Sequence, residues 1–183
     1  MVYILLGNGF ETAEALAPAD VLRRGGVDVS LVGVSGPTVT SSQAVTVTAD
    51  VTLDQVQLAP GDMVMLPGGL GGVDVLEHSE AAMALISQAA ADPQVWVCAI
   101  CAAPTLLARA GLIPAGSRAV CYPGMEGDLV KAGAIPCMDE PFVVTDHLIT
   151  GRAAGSSFEF GLALLSALAG PEAAQRVKGA IHL

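Results

Sequence analysis

Apolar residues fill short runs along this chain, and polar or glycine-rich stretches separate those runs at regular intervals. Residues 2–6 (Val2-Tyr3-Ile4-Leu5-Leu6) form the first run and stop at Gly7-Asn8-Gly9, which predicts a buried strand followed by a turn. Ala15, Leu16, Ala19 and Leu22 then recur at helical spacing until Gly25-Gly26, with Pro18 marking either the start of the helix or a bend in it. A second strand is predicted over 27–34. Val45-Thr46-Val47-Thr48 alternate as in a half-exposed antiparallel strand, and residues 63–66 form a buried strand closed by Pro67-Gly68-Gly69. A helix over 79–91 leads into a strand over 95–100. After Cys101, Pro104 near the start and Gly111 just past the end mark a short helix. A strand over 118–121 ends at Tyr122-Pro123-Gly124. A short helix to Gly133, a hairpin over 142–149 and two closing helices complete the chain, with Ser156 and Glu159 spaced as a capping box.

Strands alternating with helices predict an α/β fold: a mostly parallel sheet covered by helices on both faces. Ligands of such folds sit beyond the carboxyl ends of the strands, near the point where strand order reverses. The 183 residues suit one domain spanning 1–183, with no linker or repeat to divide it.

Composition adjusts this picture in three ways. Apolar residues make up 52% and charged ones 14%, enough for a large core. The densest apolar runs still fall far short of the roughly 20 residues a membrane span needs, so no membrane association is expected. The net charge of −10, without a Lys/Arg cluster, speaks against nucleic acid as a partner. The opening residues lack the basic flank of an export signal, which suggests a cytoplasmic setting in which Cys98, Cys101, Cys121 and Cys137 stay reduced.

Cys101 is the leading candidate for chemistry. It falls where a strand stops and a helix begins, and its small neighbours permit a sharp nucleophile elbow. A helix N-terminus beneath the sulfur would lower its pKa, whereas a cysteine in an apolar run is equally well a small core residue. Cys98 completes a Cys-x-x-Cys spacing, but residues three apart on a strand face opposite ways, so Cys98 reads as core. Glu11 and Glu14 both lie in the loop and helix start that the first strand would bring toward Cys101; either could carry a proton for the thiol or simply face water at a helix start. Gly68-Gly69-Leu70-Gly71-Gly72 lacks both the P-loop ending and the dinucleotide spacing. It suits a tight turn, or one whose backbone amides approach a substrate oxygen. His78, His147 and His182 show no metal-ligand spacing, so no metal is expected, and His147 is the best placed of the three for a Cys–His pair.

Taken together, Gly9-Phe10-Glu11-Thr12-Ala13-Glu14, Pro18-Ala19-Asp20-Val21-Leu22-Arg23-Arg24-Gly25-Gly26, Leu66-Pro67-Gly68-Gly69, Ala99-Ile100-Cys101-Ala102-Ala103-Pro104-Thr105 and Gly155-Ser156-Ser157-Phe158-Glu159-Phe160 resemble the DJ-1/ThiJ/PfpI superfamily, in its DJ-1-like branch. The resemblance covers essentially the whole chain. It implies a flavodoxin-like three-layer sandwich and a homodimer. It also implies an oxidisable, nucleophilic cysteine at Cys101, a protonated carboxyl at Glu14 and an oxyanion or substrate site at Gly68, Gly69 and Ala102. Two departures stand out: Tyr122 replaces the histidine that many DJ-1-like proteins carry before the proline, and Ala102 stands where PfpI proteases carry a histidine. The activity implied is cofactor-independent detoxification of a small aldehyde or dicarbonyl, of the glyoxalase III or deglycase kind, with Glu14 as proton carrier and Tyr122 as a hydrogen-bond donor. The alternative is a redox-sensing stress protein or chaperone that acts through Cys101 oxidation without turnover.

Overall fold

The computed structural model describes Met1–Leu183. In chain order its elements are β1 (Val2–Leu6), α1 (Thr12–Arg24), β2 (Val29–Gly33), β3 (Thr38–Thr40), β4 (Thr46–Thr48), β5 (Val51–Thr52), β6 (Met63–Leu66), α2 (Leu70–His78), α3 (Glu80–Ala91), β7 (Trp96–Ile100), α4 (Ala103–Arg109), β8 (Arg118–Ala119), α5 (Gly127–Lys131), β9 (Ile135–Pro136), β10 (Phe142–Thr145), β11 (Leu148–Gly151), α6 (Ser157–Ala169) and α7 (Pro171–Ala180).

Seven strands form the central sheet in the order β10-β11-β7-β6-β1-β2-β5. All neighbours run parallel except the hairpin pair β10 and β11. Because β1 leads outward to β2 on one side and the later strands build on the other, the order reverses between β1 and β6. A crevice opens at such a reversal because the two following connections leave in opposite directions.

The strand side chains alternate between two cores, as the pleat requires. Val2, Ile4 and Leu6 of β1, Met63 and Met65 of β6, and Cys98 and Ile100 of β7 face α1, α6 and α7. Leu5, Val64, Leu66, Val97 and Ala99 face α2, α3, α4 and α5. Helices on both faces make the three-layer sandwich. Apolar runs without alternating polarity are what a strand buried on both sides should show, and residues 2–6, 63–66 and 95–100 read that way in the sequence. Cys98 is fully buried against the α1/α6 side.

Several elements depart from the sequence expectation. The helix α1 starts at Thr12 and runs through Pro18. The glycine-rich stretch after β6 begins a helix, α2, rather than a turn leading directly to 79–91. Glycine lowers helix propensity, but here close packing demands it: a Cβ on Gly72 would lie 2.8 Å from the Cα of Phe10. The strand predicted over 118–121 keeps only Arg118–Ala119 and pairs with β9 in a separate two-stranded sheet. Val120 already leaves that ladder, donating its amide to Thr150 Oγ1 at 2.9 Å. The predicted capping box at Ser156 and Glu159 does not form. A 3₁₀ turn over Ala154–Ser156 precedes α6, and Ser156 Oγ donates to the Ala153 carbonyl instead.

Helix α1 crosses α6 closely at Gly161, where a Cβ would meet the backbone Cα of Pro18 at 2.9 Å. Gly161→Ala should therefore push apart two helices that cannot yield at a backbone atom. Urea unfolding should show a loss of about 1–3 kcal/mol; an unchanged midpoint would contradict this packing.

Candidate active site

Three connections meet at the strand-order reversal: residues 7–11 after β1, Pro67–Gly69 after β6, and Cys101–Ala102 after β7. Cys101 breaks the alternation of β7. Its φ of +66° is a left-handed conformation that a non-glycine residue avoids, at a cost of about 1–3 kcal/mol. Two backbone hydrogen bonds hold it there: the Cys101 amide donates to the Gly151 carbonyl at 2.9 Å, and the Tyr122 amide donates to the Cys101 carbonyl at 2.8 Å. The sharp elbow turns the side chain away from the sheet core and toward α1.

Glu14 meets it from α1. The carboxyl is 1% exposed, and its Oε2 accepts the Gly68 amide at 2.8 Å. Its Oε1 has no hydrogen-bond partner. Gly68 fits between the two groups only because it lacks a side chain, since a Cβ would stand 2.5 Å from Glu14 Oε2 and 2.7 Å from the Cys101 Cβ. Gly69 is required for a second reason: its φ is +86°, and a Cβ there would strike the Gly9 carbonyl oxygen and the Glu11 amide.

Burial dominates the electrostatics. It raises the Glu14 carboxyl to about 7, against the pull of the neighbouring Cys101 thiol and of the Gly68 amide hydrogen bond. The Ala154 amide also draws the Glu14 pKa down, and Glu11 raises it further. Burial likewise pushes the Cys101 thiol up to about 12, reinforced by the charge of the Glu14 carboxylate beside it. The amides of Ala102 and Gly69 oppose this rise by favouring the anionic sulfur. The expectation of a thiol acidified by the helix N-terminus is therefore corrected. Desolvation and a neighbouring carboxylate outweigh two amides and a seven-residue helix. The pair releases its first proton near neutrality. The proton it keeps lies chiefly on sulfur, because the thiol is the weaker acid, and the adjacent Glu14 carboxylate is the base placed to take it.

A cleft of about 520 Å³ opens on Cys101, with Glu14 buried behind it. Gly69, Leu70, Ala102, Tyr122, Pro123 and Met125 line it around Cys101, with Glu11 among the lining residues. Glu11 and Glu14 are thus separated by the structure: Glu11 accepts from Gln43 Nε2 at 2.6 Å on an exposed surface, while Glu14 is buried behind the sulfur. Gly68 does not offer its amide to the cleft, because that amide is committed to Glu14; its carbonyl accepts from the Glu11 amide. Gly69 and Ala102 do line the cleft, as does the half-exposed ring of Tyr122.

The structure separates the remaining sequence candidates from the pair. His147 precedes β11, at the amino ends of the parallel strands, with its ring against Trp96. It therefore lies at the opposite edge of the sheet from Cys101. Cys121 is fully buried among α2, α4 and α5 side chains and does not line the cleft. Sequence reasoning missed the Ala154 amide, about 140 positions from Glu14, and the apolar cleft walls Leu70 and Met125. No local pattern announces either one, since only the sheet order brings them to the pair.

The DJ-1/PfpI family model matches residues 1–167. The chain is 38% identical to protein dj-1beta of Drosophila melanogaster over 176 residues, covering 95% of this chain and 92% of that protein. The crystal structure of that fly protein superposes with a TM-score of 0.91 at 34% identity, covering 100% and 97% of the two chains. A glutathione-independent glyoxalase, DJR-1.2 of Caenorhabditis elegans, is 31% identical over 162 residues, or 88% of this chain and 84% of that one.

Two consequences can be measured. Gly68→Ala should displace the carboxyl or the thiol and slow Cys101 alkylation by iodoacetamide, read by mass spectrometry of the Cys101 peptide; a wild-type rate would contradict the contact geometry. The second concerns pH. A buried acid whose pKa rises on folding stabilises the protein fully below its unfolded value, near 4.5, and loses that contribution as pH climbs through the folded value, about 7. Wild-type stability should thus fall by about 3 kcal/mol across that window. Glu14→Gln should be free of this fall and more stable than wild type at pH 8, by thermal melting. Parallel pH curves for the two proteins would argue against the raised Glu14 pKa.

Proposed function

Because the chain belongs to the DJ-1/PfpI family, we propose that it is a cofactor-independent enzyme that converts small reactive dicarbonyls such as methylglyoxal, with Cys101 as nucleophile and Glu14 as proton carrier. The observation that carries this reading is the Cys101–Glu14 pair, in which a buried carboxyl poised near neutral pH lies directly behind a sulfur that lines an apolar-walled cleft. A general acid–base group works best when its pKa lies near the operating pH. The worm glyoxalase relative supports the same reaction class.

The chemistry balances without an external oxidant or reductant. The Glu14 carboxylate takes the Cys101 thiol proton as the sulfur adds to the aldehyde carbon, forming a C–S bond and leaving the electron pair on the aldehyde oxygen. The amides of Gly69 and Ala102, which already favour an anion at the sulfur, stand beside that oxygen. Glu14 protonates the oxygen and then, as carboxylate, removes the proton from the same carbon. It returns that proton to the adjacent ketone carbon, while the hydroxyl proton of the first carbon passes to the ketone oxygen. The first carbon is thereby oxidised to a thioester while the second is reduced to an alcohol. One water then cleaves the C–S bond, releasing lactate and restoring the thiol. The same first adduct would serve deglycation. Tyr122 takes the place of a histidine along the cleft wall, as a hydrogen-bond donor to the bound carbonyl compound. A homodimer in the cytoplasm is part of the same proposal.

The test is lactate formation from methylglyoxal without glutathione. Wild type should turn over, Cys101→Ser should be inactive, and Glu14→Gln should fall by about 10²-fold or more, the usual share of a positioned acid–base group. Absence of turnover in fully reduced wild type would defeat this reading. It would favour peroxide oxidation of Cys101 as the working event.

A further inference from the structure

A single cation ties together the three helices whose amino ends build the cleft. Arg109 lies in the last turn of α4. Its Nε and Nη2 donate to the two carboxylate oxygens of Glu77, at 3.0 and 2.7 Å, in the last turns of α2. Its Nη1 donates to Asp128 Oδ2 at 3.1 Å in the first turn of α5, and to Thr105 Oγ1 at 2.8 Å on α4 itself. For α2 and α4 the cleft lies at the opposite end from Arg109, where Leu70 opens α2 and Ala102 caps α4, while α5 meets both at its start, with the Tyr122–Met125 loop just before it.

The contact with Thr105 reaches the thiol. Thr105 is 1% exposed, and its hydroxyl, while accepting from Arg109, donates to the Ala102 carbonyl at 2.8 Å. The Thr105 amide donates to the same oxygen at 3.1 Å. Ala102 therefore cannot rotate about its backbone without breaking both bonds. Its own amide is one of the two that favour an anionic Cys101 sulfur. The ionised carboxylates sit at one end of this chain and the nucleophile at the other, with Arg109 donating to Thr105 and Thr105 to Ala102 between them. A bidentate guanidinium contact fixes direction as well as charge, which a lysine ammonium would not do.

We infer that Arg109, acting through the Thr105 hydroxyl, is a positioning residue that sets the Ala102 amide against Cys101 and joins the α2, α4 and α5 walls of the cleft. The inference deepens the dicarbonyl reading and takes Cys101 as the nucleophile from it. The role differs from a contribution to overall stability. Arg109 and Glu77 side chains are each 38% exposed, and ion pairs so exposed add little to folding. Arg24, paired with Asp20 on α1 at comparable exposure and away from the cleft, provides the matched control.

The experiment compares Cys101 alkylation by iodoacetamide against pH in wild type, Arg109→Met, Thr105→Val, Thr105→Ser and Arg24→Met, following the Cys101 peptide by mass spectrometry. Glu14 on α1 lies against the thiol, and Glu11 and Tyr122 line the cleft beside it, unchanged in all five proteins. Arg109→Met and Thr105→Val should react about tenfold more slowly than wild type across the neutral pH range. Thr105→Ser should stay close to wild type, because it keeps the hydroxyl, and Arg109→Met should melt no lower than Arg24→Met. A wild-type alkylation profile in Arg109→Met and Thr105→Val would overturn the inference. A Thr105→Ser protein as slow as Thr105→Val would overturn it too. Alkylation requires no dicarbonyl turnover, so this result stands apart from the lactate assay.

Discussion

The structure turns on a carboxyl kept out of water. Glu14 is buried with one oxygen on the Gly68 amide and the other without a hydrogen-bond partner, directly against Cys101. Burying an ionised carboxylate in that way is costly, and the protein meets the cost by letting the group hold its proton until pH approaches about 7. Everything nearby serves that placement. Gly68 has no side chain because a Cβ would collide with both partners. Cys101 accepts a left-handed backbone so that its sulfur reaches the carboxyl. Helix α1 packs on α6 closely enough to need Gly161, which holds Glu14 in the interior.

Site and sheet are consequences of one topology. A parallel sheet directs the carboxyl ends of β1, β6 and β7 to one edge, and the reversal of strand order leaves room there for a cleft. The strain at Cys101 is affordable because its carbonyl and amide are held by segments from two other parts of the chain, Tyr122 and Gly151. An elbow supported only by its own neighbours would relax into ordinary strand or helix geometry.

The thiol itself shows how local and tertiary effects compete. A cysteine at the start of a helix is expected to be acidic. Here α4 is short, the sulfur is half-buried and a carboxylate is its nearest charge, so the pKa moves upward instead. Nucleophilicity then depends on where one shared proton resides, which makes Cys101 and Glu14 a functional unit rather than two separate groups.

The main strands, most of the helices and the elbow were legible because they rest on local patterns: apolar runs of strand length, helical spacing of Ala and Leu, and Pro and Gly at helix ends. The motif around Cys101 and the resemblance to a family pointed to Glu14, although the residues alone left Glu11 equal to it. What the sequence could not contain was anything set by distant packing. Helix α2 was hidden by glycines that exist to let Phe10 approach. The strand at 118–121 was shortened by a side-chain bond from Thr150. The commitment of the Gly68 amide, the influence of Ala154 and the remoteness of His147 all followed from sheet order. Local periodicity specifies which segments fold and which faces they bury, because those depend on neighbours a few positions away. The burial of one carboxyl, and therefore the pKa values and the chemistry, depends on segments more than a hundred residues apart, so only the assembled tertiary structure decided it.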